Sequence, residues 1–261
     1  MLDGQGLAVS VGNDTAVSAY NKAVTEWLDY KISSMRTLKQ AIELEPDFCI
    51  AHCFRGYLLV TFNSAAVLPA AVASLTKARA LAGTASEREQ RHVAALRHLL
   101  EGAPHRACAC WDEITADYPH DILALRMHHY TCFWSGYRQQ LSALPAAVLP
   151  AWDDTVPHYG NLLGMVAFGL EELGLYDMAE RYGRDAADQN PDDLWAVHAV
   201  AHVMEMQQRA ADGIKWLDYS LDHFRDFNPF RGHIWWHKGL FLNDSESLDA
   251  ALSLYDNAIH H

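Results

Sequence analysis

Residues 174–191 read GLYDMAERYGRDAADQNP, and residues 102–119 read GAPHRACACWDEITADYP. In both stretches the opening Gly is followed five residues later by an Ala and seventeen residues later by a Pro. A Gly permits a tight turn, and a Pro ends one helix and begins the next. The small Ala lets two antiparallel helices approach closely. The two stretches therefore predict two copies of one helix–turn–helix unit.

The same ending recurs elsewhere in the chain. It stands in LKQAIELEP at residues 38–46, and ESLDAALSLYDNAI at residues 246–259 repeats the second helix again. Pro46, Pro119 and Pro191 are 73 and 72 residues apart, which is about two repeats of the 34-residue class with small insertions. One helix pair cannot bury its own apolar face, whereas a stack of pairs can. We expect about six pairs, forming an all-α α-solenoid of stacked antiparallel helices that covers residues 1–261 as a single domain.

Composition excludes several classes of partner. Half of the 261 residues are apolar and 20% are charged, which is typical of a folded protein. A net charge of −13 with no run of Lys or Arg argues against nucleic acid as a partner. No apolar run reaches the ~18 residues of a membrane span, and the N-terminus lacks the pattern of a signal peptide. The five Cys match no zinc or redox spacing, so we expect reduced, packed thiols in a cytoplasmic protein.

The candidate site begins in LWAVHAVAHVMEMQQR at residues 194–209, the first helix after Pro191. His198 and His202 are four residues apart, so they lie about 40° apart around a helix. Glu205 returns to within about 20° of His198. Trp195 and Arg209 fall on the same stripe. A core-facing stripe would be Leu, Val and Ala, so this polar stripe is expected to line the concave face of the solenoid.

The next first helix contains HIWWHKGLF at residues 233–241. His233 and His237 form a second pair at the same spacing, with Trp236 between them. Consecutive first helices of a solenoid are neighbours at about 10 Å, so the two histidine pairs are expected to face each other. Asn161, on the first helix of the preceding unit, is expected to line the same groove.

Three interpretations of this constellation remain open. Imidazole and carboxylate ligands at helical spacing could hold a divalent metal, zinc or iron, although the Glu follows both histidines, unlike the zinc-protease motif. A metal-free pocket could use His as a general base or anion clamp between Trp walls. The histidines could also be purely structural. The metal candidates are His198, His202, Glu205, His233 and His237, and the catalytic candidates are His198, His202 and Glu205.

The predicted function is binding of a small molecule or peptide in a concave groove. A metal-dependent or histidine-based enzyme and an interaction scaffold without a ligand are the alternatives, and whether the chain is an enzyme is left open. No phosphate loop, Ser nucleophile elbow or kinase motif is present. An ordinary role on the surface or in helix packing is favoured for His128, His129, Glu171 and Glu172. The groove residues are Asn161, Trp195, His198, His202, Glu205, Arg209, His233, Trp236 and His237.

The chain resembles the tetratricopeptide repeat protein 38 family. The resemblance rests on SEREQRHVAAL, YPHDILALRMHHYTCFWSG, the unit around AVHAVAHVMEM, HIWWHKGLF and AALSLYDNAI, in this order over nearly the whole chain. It implies a helical-repeat fold and implies that the four histidines and Glu205 are family features. Family members continue beyond YDNAI with further helices, so a groove that those helices would close is expected to be open here. The sequence QQR at residues 207–209 stands where a Gly turn is usual, so that hairpin is expected to be looser.

Overall fold

The structure is a computed structural model that describes residues 1–221 and 229–259. The terminal His260 and His261 lie outside the described residues. Apart from one isolated bridge between Leu2 and Ala8, the regular structure in the described part is helical. The helices are α1 (Asp14–Leu28), α2 (Ser34–Leu44), α3 (Cys49–Thr61), α4 (Leu68–Leu81), α5 (Glu87–Leu100), α6 (Pro104–Asp117), α7 (Ile122–Ser135), α8 (Arg138–Val148), α9 (Tyr159–Glu171), α10 (Tyr176–Gln189), α11 (Leu194–Met206), α12 (Ala210–Leu221), α13 (Arg231–Asp244) and α14 (Leu248–Leu254).

The chain divides into two compact units. The first contains residues 1–27 and 33–158, and the second contains residues 28–32 and 159–261. The single domain over residues 1–261 stays a prediction. Among the described helices, none has the length and apolar character needed to cross a membrane.

Each unit is built from helices that pack in sequential pairs. In the first unit α3 packs with α4, α5 with α6, and α7 with α8; in the second, α9 packs with α10, α11 with α12, and α13 with α14. The first helices of consecutive pairs also contact each other, α9 with α11 and α11 with α13. The predicted all-α solenoid of stacked helix pairs is thereby confirmed.

The turns within the pairs recur at a regular interval. Left-handed backbone occurs at Gly102, Gly136, Gly174, Gln208 and Glu246, at intervals of 34, 38, 34 and 38 residues. The residue after each turn donates its N–H to the carbonyl oxygen five residues earlier, as Leu175 does to Leu170 at 2.9 Å. This is the hydrogen bond of a Schellman helix end.

The QQR hairpin differs from the expectation of a looser turn. Gln208 adopts φ 59°, close to the 76° of Gly174, and Arg209 donates its N–H to the Met204 carbonyl oxygen at 2.8 Å. The backbone hydrogen bonds are thus those of the Gly turns. A non-Gly residue in this conformation costs about 1–2 kcal/mol, and the packed helices hold it there.

Helix α11 is fixed at its start and along one face. The Asp193 carboxylate caps the helix by accepting the N–H of Trp195 at 2.9 Å. Asn161 on α9 donates to the other oxygen of Asp193 at 3.1 Å, which ties α9 to the start of α11. The apolar face of α11 packs into the core of the second unit, which comprises Leu194, Val197, Val200, Ala201, Met204, Trp216, Leu217, Ile234 and Phe241. With that face buried, α11 and α13 present their histidines together.

Candidate metal centre

Four histidines converge between two neighbouring helices. Helix α11 supplies His198 and His202, and helix α13 supplies His233 and His237. One ring nitrogen from each lies within 4.8 Å of the others. The side chains of His198 and His237 are buried, that of His202 is 27% exposed, and His233 lies at the exposed edge. We name this group the four-His cluster.

Three nitrogens of the four-His cluster approach each other most closely. The Nε2 atom of His233 is 2.9 Å from Nε2 of His198 and 3.2 Å from Nε2 of His237. On the far side of the His237 ring, Nδ1 lies 2.9 Å from Oε2 of Glu205. A carboxylate accepts hydrogen bonds, so Nδ1 of His237 donates and Nε2 of the neutral ring carries a lone pair.

The neutral rings cannot satisfy all of these contacts. Nε2 of His233 carries at most one hydrogen, so it can donate to His198 or to His237 but not fully to both. If this nitrogen carries the hydrogen, one hydrogen is shared between the two contacts; if it does not, its lone pair faces the lone pair of His237. A cation among the three nitrogens would remove this conflict.

A proton is a poor candidate for that cation. Burial lowers the pKa of His198 well below its usual range, and His202, His237 and His233 lower it further. Burial and the neighbouring imidazoles lower the pKa of His237 to about 3, and burial lowers the pKa of His233 as well. The three rings are therefore neutral at physiological pH, as metal-binding imidazoles must be.

Aromatic rings hold the histidines in place. Phe168 stacks on His198 with centroids 5.5 Å apart and planes at 16°, and Trp236 stacks on His233 at 5.5 Å and 17°. Trp195 and Phe230 contact His198 at 5.3 and 5.2 Å. Within the described part of the chain, Nδ1 of His198 is buried without a hydrogen-bond partner. Stacking therefore orients this ring.

A second carboxylate lies behind the fourth histidine. Oε2 of Glu171, at the end of α9, is 3.6 Å from Nδ1 of His202, and its side chain is only 6% exposed. The sequence favoured an ordinary role for Glu171, and it did not indicate Phe168 or Phe230. The sequence could have indicated Glu171 through the repeat pattern. Helix α9 is the first helix of the pair before α11, so its last turn lies beside α11.

Two of the predicted groove residues have partners elsewhere. Arg209 pairs with Glu180 at 2.5 Å and with Asp212 at 3.1 Å, because it follows the turn and faces α10 and α12. Asn161 is buried against Asp193 and fixes the start of α11. The other seven predicted groove residues lie in or against the four-His cluster: Trp195, His198, His202, Glu205, His233, Trp236 and His237.

Comparison with known proteins supports the fold. No family model matches the chain. The APC/C hetero-tetramer Cut9–Hcn1 aligns with a TM-score of 0.52 at 16% identity, over 91% of this chain and 43% of that one. MamA from Desulfovibrio magneticus RS-1 aligns with a TM-score of 0.51 at 15% identity, over 67% and 95%. A tetratricopeptide repeat protein from Parabacteroides merdae aligns with a TM-score of 0.48 at 17% identity, over 94% and 100%.

At these identities the first two matches show the fold alone. The turns recur every 34 or 38 residues, which is the 34-residue repeat of tetratricopeptide helix pairs with small insertions. The chain is therefore a repeat protein with a tetratricopeptide-type fold.

Proposed function

We propose that this repeat protein binds a divalent transition metal, with zinc as the best match, through His198, His202, His233 and His237. The observation that carries the proposal is the set of Nε2 contacts at 2.9 and 3.2 Å. Nitrogens bound to one tetrahedral zinc lie about 3.3 Å apart, given Zn–N distances of about 2.0–2.1 Å. Nε2 of His233 is already near that spacing from both of its neighbours. Imidazole ligands also suit copper, iron and nickel, so zinc is favoured on geometry.

The carboxylates fit this proposal as partners of the ligands. Metal-binding histidines usually donate their second ring N–H to a carboxylate, which fixes the tautomer and strengthens the ligand. Glu205 stands in this position behind His237, and Glu171 lies near His202 at 3.6 Å, beyond hydrogen-bond distance. We therefore assign Glu205 to orienting His237 and leave it outside the ligand set.

Four protein ligands fill a tetrahedral zinc, which favours a site that holds α11 and α13 together over one that turns over a substrate. The exposed edge, formed by His233 and the 48% exposed Trp236, is the proposed contact for a small molecule or peptide. Membership of the tetratricopeptide repeat protein 38 family and a cytoplasmic location are proposed on the sequence resemblance and on composition.

Zinc titration of the untagged chain tests the proposal. The protein is purified without nickel, stripped with a chelator, and titrated with zinc against a chromophoric competitor. We expect His233→Ala to weaken the binding of one equivalent of zinc by at least about 100-fold. Loss of a metal ligand costs more affinity than loss of a residue that only hydrogen-bonds to a ligand. His233 lies at the exposed edge, so the variant should keep its fold, as far-UV circular dichroism would show.

The exposed His105 on α6 provides the matched control. His105→Ala should bind zinc as the unsubstituted chain does. Equal zinc affinities of the folded His233→Ala variant and the unsubstituted chain would contradict the proposal.

A further inference from the structure

We propose a second, independent zinc site in the first unit, with Cys108, His128 and Cys132 as ligands and the Asp112 carboxylate beside His128. It shares no residue with the four-His cluster and does not depend on it.

The site is formed by two facing helices. Helix α6 carries Cys108 and Asp112 four residues apart, and helix α7 carries His128 and Cys132 four residues apart. The two helices pack against each other. Each pair therefore lies on one helix face, and the two faces meet. The four-His cluster has the same design of two i, i+4 pairs on neighbouring helices.

The separations of the ligand atoms are near those of a tetrahedral zinc site once the His128 ring turns, since Sγ of Cys132 now lies almost equally far from its two nitrogens, 3.6 Å from Nε2 and 3.7 Å from Nδ1. The Sγ atoms of Cys108 and Cys132 are 3.8 Å apart, and Sγ of Cys132 is 3.6 Å from Nε2 of His128. The same Nε2 is 3.3 Å from Oδ1 of Asp112. Around one tetrahedral zinc these separations are about 3.8 Å for two sulfurs, ~3.5 Å for sulfur and nitrogen, and ~3.3 Å for nitrogen and oxygen.

Burial and charge fit a bound cation. Cys108 is 5% exposed, His128 is 1% exposed and Cys132 is fully buried, whereas the carboxylate side of Asp112 is 54% exposed. A metal ion can therefore reach the site from the solvent past the Asp112 carboxylate. Two thiolates neutralise the two charges of zinc, so the buried part of the loaded site carries no net charge.

Loading the site releases protons. A bound metal cation deprotonates a coordinating thiol outright. Each zinc that binds therefore forms two Zn–S bonds, breaks two S–H bonds and transfers two protons to the solvent.

A disulfide explains the pair less well. Both cysteines are free, and their sulfurs at 3.8 Å are well beyond the ~2.05 Å of a disulfide. Packing alone gives no reason for a buried imidazole that lies 3.6 Å from a thiol and 3.3 Å from a carboxylate.

Cobalt(II) titration tests the proposal and separates it from the four-His cluster. Cobalt bound by thiolate gives a ligand-to-metal charge-transfer band in the near ultraviolet, which a histidine-only site does not. The stripped, reduced full chain should develop this band by the addition of two equivalents of cobalt, one for each proposed site. The band should persist in His198→Ala/His237→Ala and disappear in Cys108→Ser.

Cys110→Ser is the matched control, because Cys110 lies on the same helix outside the cluster and should leave the band unchanged. In the unsubstituted chain, two equivalents of zinc should slow the alkylation of Cys108 and Cys132 relative to the metal-free chain, as peptide mass spectrometry would show. This second readout needs no variant to fold. The proposal is overturned by absence of the band, by its survival in Cys108→Ser, or by protection of other thiols.

Discussion

His237 is the most constrained residue of the four-His cluster. Its ring is 2% exposed, and both of its nitrogens are engaged, Nδ1 with Glu205 at 2.9 Å and Nε2 with His233 at 3.2 Å. The carboxylate therefore sets the tautomer of the ring, which directs a lone pair at the other histidines. Replacing a neighbour of His237 should change metal affinity more than it changes folding.

Glu205→Gln tests this role. A neutral amide is a weaker acceptor than a carboxylate, so zinc binding at the four-His cluster should weaken about 10–100-fold, as for other ligand partners. The Glu205 side chain is 35% exposed, so thermal stability without metal should change little. Competition titration of zinc measures the first quantity and a melt in chelator the second.

Glu246→Gln serves as the control because Glu246 is an exposed glutamate in the same unit. Its zinc affinity should match that of the unsubstituted chain. If Glu205→Gln also matched it, the carboxylate would have no part in orienting His237.

At the scale of helices, close packing on one face positions the site on the other. A Cβ atom at Gly183 on α10 would lie 2.5 Å from Cγ2 of Val200 on α11. Val200 is fully buried and β-branched, so it cannot rotate away easily. Helices α10 and α11 thus meet where only Gly fits.

Gly183→Ala should destabilise the protein by about 1–3 kcal/mol through overpacking, although Ala favours a helix by about 1 kcal/mol. Gly239 on α13 gives the opposite case, because no atom of the described residues lies within 4 Å of its added Cβ. Gly239→Ala should stabilise by about 0.5–1 kcal/mol. Urea unfolding measures both, and a stabilising Gly183→Ala would show that the helix contact is looser than described.

The sequence predicted the helix pairs well because their signals are local. Gly102 and Gly174 mark turns, and the i, i+4 spacing of His198 and His202 marks one helix face. The sequence did not predict the left-handed backbone of Gln208. Tertiary packing imposes that conformation on a residue that does not favour it.

The second cluster shows what local patterns cannot reveal. The spacing of His128 and Cys132 was visible, but Cys108 lies 24 residues earlier and joins them only when α6 packs on α7. The role of Glu171 behind His202 likewise depends on contact between two helices. Residues that meet across helices need the fold to be known first.

For the molecule as a whole, buried neutral histidines make stability depend on pH. Burial lowers the pKa of His129 in the first unit and of His198 and His237 in the second. Between the folded and the unfolded pKa, the unfolded chain binds more protons. Stability is therefore complete above the unfolded value of about 6.5 and falls as pH drops below it.

Asp121 causes a further loss of stability at lower pH. Burial alone would raise the pKa of its carboxyl, but His92 at 3.0 Å and Arg88 at 2.8 Å hold it well below its usual range. Its contribution is complete above the unfolded value of about 3.9 and is lost as pH falls further.

We expect the metal-free chain to lose stability between about pH 7 and about pH 5, by up to ~1.4 kcal/mol per pH unit for each such histidine. Urea unfolding in chelator, followed by far-UV circular dichroism, measures this. A flat profile over that range would mean that the histidines titrate alike in the folded and unfolded chain. Asp121→Asn should remove the loss of stability below about pH 4 and should also lower stability near neutral pH, because buried Arg88 loses a partner.

The central claim is that His198, His202, His233 and His237 hold a metal ion. Anomalous diffraction from crystals of the full, untagged chain, measured on both sides of the zinc absorption edge, tests it most directly. We expect an anomalous peak among the Nε2 atoms of His198, His233 and His237 that vanishes below the edge. A zinc-supplemented crystal with these rings in the described positions and no peak among them would contradict the claim.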